Sequence, residues 1–134
     1  MAKSKNPTSF LINAKEFSCR GDIESMSTEE LGAYLLLMCK AWNERPPASV
    51  PDDDAILAKW ARLTQAQWAQ CRASVLSHFK KRQDGRLYDE RLEREFQALR
   101  ESQRRKSDAG RRAVNARWSQ SAKKLKKVIV YVEE

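Results

Sequence analysis

Apolar side chains recur along this chain at helical spacing, and each recurrence is bounded by residues that start or stop a helix. Leu31, Tyr34, Leu35, Met38, Cys39 and Trp42 fall at i, i+3, i+4, i+7, i+8 and i+11, one face of an amphipathic helix. Ser27 and Glu30 precede them at capping-box spacing, so the pattern predicts a first helix over 28–43. Pro46, Pro47 and Pro51 end it and force a short extended connection. Asp52, Asp53 and Asp54 then stand where the unpaired N–H groups of a helix start favour negative charge. Ile56, Leu57, Trp60 and Ala61 give a second helix, over 53–62, its apolar face. After Leu63, Thr64 and Gln67 form another capping box in front of Trp68, Cys71, Val75, Leu76 and Phe79, which predicts a third helix over 65–78.

Only a few residues join the second and third helices, which sets them at a sharp angle, as in a helix-turn-helix. Beyond them, the stretch Phe79–Tyr88 contains Asp84-Gly85, a pair suited to the positive φ of a tight turn between two short strands. Three helices followed by a hairpin spell a winged helix-turn-helix, so the expected fold is mainly α with a small β-hairpin wing. Phe10, Ile12 and Ala14 alternate in the N-terminal segment, which either adds an edge strand or covers the core. Leu92, Phe96 and Leu99 begin a fourth helix, whose continuation between Ser102 and Ala113 has no large apolar side chain. Gly110 weakens it further, by roughly 1 kcal/mol relative to Ala. This extended basic C-terminal helix is either solvated or ordered only on a polyanion. The β-branched run Val128-Ile129-Val130-Tyr131-Val132 predicts a short terminal strand, closed by Glu133-Glu134. The chain thus divides into a winged-helix domain over 1–100, a basic helix or tail over 101–127 and a C-terminal strand over 128–134.

A length of 134 residues with 41% hydrophobic composition supports one domain with a modest core. Charge changes the picture more. The net charge is +8, and it is not evenly spread. Residues 1–100 carry 16 Lys and Arg against 14 Asp and Glu, whereas within 104–127 ten bases face Asp108 alone. That density departs from the interspersed charge of a solvated helix, and like charges three or four residues apart destabilise a helix unless something neutralises them. The sequence pI near 9.6 points to a polyanionic partner. Cys19, Cys39 and Cys71 are odd in number and far apart, which excludes a disulfide framework and a paired-thiolate zinc site and suggests a reducing compartment. Neither a membrane-length apolar run nor the apolar stretch of a signal peptide is present, so the expectation is a cytoplasmic protein with no membrane partner.

Catalysis finds little support. His78 is the sole histidine and has no partner at dyad spacing, and Asp52, Asp53 and Asp54 read as a helix start better than as a metal site. No glycine-rich phosphate loop or His/Cys cluster is present, so neither enzyme activity, cofactor nor metal is expected. The candidate nucleic-acid-binding residues are instead the tail bases Arg104, Arg105, Lys106, Arg111, Arg112, Arg117, Lys123 and Lys124. The wing bases Lys80, Lys81, Arg82 and Arg86 join them, placed where a wing meets the sugar-phosphate backbone. Gln67 and Gln70 of the third helix are polar groups able to read base edges. Trp42, Trp60 and Trp68 lie on apolar helix faces and belong to the core. Trp118 follows the basic stretch, where stacking on a base, docking on a neighbouring subunit and capping the domain are equally open.

Several landmarks recur in one order: Met26-Ser27-Thr28-Glu29-Glu30-Leu31-Gly32-Ala33-Tyr34, Trp42, Pro51-Asp52-Asp53-Asp54, Leu57-Ala58 and Trp68. They continue with Phe79, Asp84-Gly85-Arg86-Leu87-Tyr88, Arg91-Leu92, Gly110-Arg111-Arg112-Ala113 and Ala116-Arg117-Trp118. In this order the chain resembles the YdaU family of phage and prophage proteins over residues 10–118. The resemblance implies a winged-helix-like domain encoded beside phage replication genes, similar in context to the DNA-binding N-terminal domain of phage replication initiators. The expected function is non-catalytic DNA binding, duplex favoured, in replication initiation or its control, mainly through phosphate contacts and with a phage or host replication protein as a further partner. A transcriptional regulator of the same fold is one alternative. The other is an oligomerising interaction module, with the C-terminal strand pairing to a second copy.

Overall fold

The computed structural model describes the backbone of residues 6–133 and the side chains of residues 6–125. In chain order its elements are α1 (Ala14–Cys19), α2 (Gly21–Glu24), α3 (Thr28–Trp42), β1 (Ser49–Val50), α4 (Asp54–Trp60), α5 (Gln65–Leu76), β2 (Lys80–Lys81), β3 (Leu87–Tyr88) and α6 (Glu90–Glu133). The protein is mainly helical, with one small antiparallel sheet and a long C-terminal helix. It divides into two units between Ala98 and Leu99.

Caps set the three central helices. The Ser27 hydroxyl accepts the Glu30 N–H at 3.1 Å and Glu30 accepts the Ser27 N–H at 2.7 Å, which starts α3. Thr64 and Gln67 repeat the exchange at 3.1 and 2.9 Å to start α5. Asp53 caps α4 by accepting from the Ala55 and Ile56 N–H groups. The turn into α5 is a Schellman closure: Leu63 donates to the Ala58 carbonyl at 2.9 Å and Arg62 to that of Lys59 at 3.1 Å, with Arg62 at φ 59°.

In the first unit α3 packs on α4 and α5, and burial centres on Tyr34, Leu37, Leu57, Trp68 and Val75. Both most deeply buried tryptophans satisfy their indole N–H, Trp42 on the Pro7 carbonyl at 2.7 Å and Trp68 on Asp54 at 2.9 Å. Trp60 is half-buried, with the Lys40 ammonium 5.9 Å from its ring centroid. The expected hairpin forms as β2 and β3, with Gly85 at φ 83° in its turn. A third strand joins it: β1 pairs with β3 in the register Ser49↔Tyr88 and Val50↔Leu87, giving the order β1-β3-β2. The prolines predict an extended connection here, but two residues leave no periodicity to show that it pairs as a strand.

The N-terminal segment covers the core rather than adding an edge strand. Phe10 sits 5.0 Å from Trp42, whose ring also meets Phe96 at 5.0 Å, and Asn13 then caps α1. The expected C-terminal strand is corrected by the structure. Val128–Val132 continues α6, which runs to Glu133, so strand pairing with a second copy has no strand to rest on. Leu125, Val128, Ile129 and Val132 are spaced i, i+3, i+4 and i+7, a helical period inside the β-branched run. The propensity cost of Val and Ile in a helix is only tenths of a kcal/mol each. A helix satisfies its backbone groups locally, whereas a strand requires an edge to pair with.

Candidate nucleic-acid interface

Among the described side chains of the second unit, 99–125, none is buried, and local pairs contribute to the helix instead. Glu101 meets Arg104 at 2.6 Å and Arg105 at 3.4 Å, and Asp108 pairs with Arg111, all at i, i+3 or i, i+4. Glu101 is held below the usual carboxylate range, first by its hydrogen bond from Arg104. Gly110 has open space around the position of a Cβ.

Every candidate tail base is exposed. Among the described residues Lys106, Arg112, Arg117, Lys123 and Lys124 make no ion pair, and the three paired arginines share two carboxylates. Helical spacing sorts the bases into stripes: Arg105, Arg112 and Lys123 at i, i+7 and i+18, and Lys106, Arg117 and Lys124 at i, i+11 and i+18. Val114, Trp118 and Leu125, at i, i+4 and i+11, fall on a different face, and Trp118 is 71% exposed. Residues 104–124 therefore present cations along roughly 30 Å of helix, at 1.5 Å per residue, a length comparable to one turn of duplex.

The hairpin bases behave differently. Lys80 lies 3.4 Å from Glu90 and Lys81 3.1 Å from Asp52. Arg82 makes a two-pronged pair with Glu93 at 2.7 and 3.0 Å and lies over the Tyr88 ring at 4.1 Å. Arg86 reaches Glu44 at 2.9 Å and the Ser49 hydroxyl at 2.9 Å, joining the hairpin to β1. Gln67 is occupied as the capping residue of α5, while Gln70 is exposed. Arg72, the one base on the exposed face of that helix, pairs with Asp54 at 2.7 Å; that carboxyl is held low first by its hydrogen bond from Trp68 and then by Arg72.

A polar cluster in the first unit has no counterpart in the sequence reading. Asp89 is buried and accepts from the Tyr34 hydroxyl at 2.5 Å and from the Arg91 and Leu92 N–H groups at 3.1 and 3.2 Å, which caps α6. The His78 ring stacks on Tyr34 with centroids 4.4 Å apart, and its Nδ1 lies 3.5 Å from Asp22. Burial raises Asp89 and Tyr34 above their ordinary pKa values and lowers His78. These residues span positions 22 to 89, so no spacing rule links them. Among the described residues no group of three or more His, Cys, Asp or Glu side chains is placed to hold a metal, and no helix is long and apolar enough to cross a membrane.

The family described as "protein of unknown function (DUF1376)" matches residues 14–97. The Escherichia coli (strain K12) "Uncharacterized protein YdaU" is 38% identical over 98 residues, 73% of this chain. The chain spans about a third of the length of that curated relative. No solved structure matches it.

Proposed function

Because this chain belongs to the DUF1376 family of proteins of unknown function, its role has to be argued from its own residues, and we propose that it is a non-catalytic DNA-binding protein. The supporting observation is the helix over 104–124, where eight bases are exposed and, among the described residues, five of them make no ion pair. Such a surface gains affinity by releasing counterions from phosphates. The succession α3, α4, α5 and the β2–β3 hairpin is also the order of a winged helix-turn-helix, which supports that finer reading of the first unit. With Gln67 used as a cap, phosphate contacts rather than base contacts carry the binding, and duplex is the favoured form. A place in phage or prophage replication initiation, beside a replication protein, follows from the family resemblance; transcriptional control by the same fold is the alternative.

A salt titration of DNA binding tests this. If about five tail bases neutralise phosphates, log K falls with log salt at a slope of roughly −4 to −5. A salt-insensitive complex would overturn the proposal. A second reading, an interaction module that docks on an acidic partner protein, is favoured by the exposed Val114, Trp118 and Leu125 beside the basic stripes. It predicts that Trp118→Ala leaves DNA binding unchanged and abolishes capture of that partner.

A further inference from the structure

A cavity of about 210 Å³ in the first unit is lined by Arg20, His78, Lys80, Arg91 and Arg94. Its cations come from the junction of α1 and α2, from β2 and from the first turns of α6. Asp22, Asp89 and Glu90 also line it, and each already has a partner. Asp22 takes Nε and Nη2 of Arg20, Glu90 lies 3.4 Å from Lys80, and Asp89 holds the Tyr34 hydroxyl and two N–H groups of α6. Arg91 is engaged with Glu16 at 2.7 Å.

Donors are left over. The third nitrogen of Arg20, Nη1, is buried and has no hydrogen-bond partner, an arrangement that is costly without an acceptor. Arg94 makes no ion pair or hydrogen bond among the described residues. The Lys80 ammonium has three donors and a single, long contact. A carboxylate is planar and satisfied by one arginine fork. A phosphate is tetrahedral, carries up to two charges and accepts from several directions, which matches donors that enter from three parts of the chain.

We propose that this cavity is a phosphate site, which takes a dianionic phosphate, free or as a terminal monoester, on Arg20, Lys80 and Arg94. The site lies wholly in the first unit and does not depend on the tail's affinity for DNA.

His78 makes the test direct. It is the only histidine in the chain and lines the cavity, so its imidazole NMR signal reports on occupancy without overlap. Inorganic phosphate titrated into the full chain at fixed pH, with ionic strength held constant by chloride, should shift that signal saturably. Arg94→Gln and Lys80→Gln, both at exposed positions, should each weaken the response about fivefold. Thymidine 5′-monophosphate against thymidine separates the sources: a response to the monophosphate means that a terminal monoester is accepted, and a response to orthophosphate alone means a site for free phosphate. A chain with Arg104, Arg105, Arg111 and Arg112 replaced by Ala should respond like the wild type. The proposal is overturned by a signal that does not saturate or that chloride moves equally, by unchanged responses in both cavity variants, or by a response lost with the tail arginines.

Discussion

The hairpin and the tail helix are both crowded with bases, yet the two regions hold them in opposite states. Lys80, Lys81, Arg82 and Arg86 each meet a carboxylate brought from another part of the chain: Glu90, Asp52, Glu93 and Glu44. Among the described residues the tail's ion pairs are with acids one turn away on the same helix, and Glu101 and Asp108 serve three arginines between them. Two stretches equally basic on paper thus differ in how much charge they leave for a partner. A tertiary fold can bring acids to the bases of a hairpin, whereas local pairing along one helix is limited to the acids its sequence places a turn away.

The contrast predicts that substitutions in the two regions have crossed effects. Replacing Arg104, Arg105, Arg111 and Arg112 by Ala should give the largest change: DNA affinity at moderate salt falls about 100-fold or more, the salt slope flattens by about 3 to 4, and the thermal midpoint of the first unit stays put. A gel shift over a salt series with parallel thermal melts measures both. Arg86→Ala should do the reverse. Losing its bonds to Glu44 and Ser49 costs about 2 kcal/mol of stability, read by urea denaturation, with the salt slope of DNA binding unchanged. A drop in slope here would return the hairpin to the interface.

Gly110→Ala sharpens the tail's side of the contrast. With open space around the Cβ position, the change adds about 1 kcal/mol of helix stability, seen as increased helicity by circular dichroism. DNA affinity should hold or rise; a loss would show that the backbone at Gly110 approaches a phosphate.

The smallest effect belongs to His78. Burial holds its pKa below the ordinary imidazole value near 6.5. Between that value and the lowered one, the unfolded chain binds a proton that the folded chain does not, so stability falls as pH drops through this window. His78→Gln should flatten the pH dependence of the urea midpoint there, while the tail's helicity is indifferent.

By itself the sequence determined what depends on near neighbours. Ser27 with Glu30, Asp53, and Thr64 with Gln67 start the helices where their spacing predicts, because a cap needs only residues two or three apart. Gly85 marks the hairpin for the same reason, and the charge of 104–127 is a count that folding does not alter. Tertiary structure decided whatever required distant partners. It added β1 to the sheet through a two-residue pairing, set carboxylates beside the hairpin bases, and gathered Arg20, His78, Lys80 and Arg94 around one cavity. Val128–Val132, whose β-branched residues suggest a strand, continues α6 for a reason that is again local. A strand exists only where an edge accepts it; a helix already formed upstream extends by one hydrogen bond per residue, and that difference outweighs the few tenths of a kcal/mol of local preference.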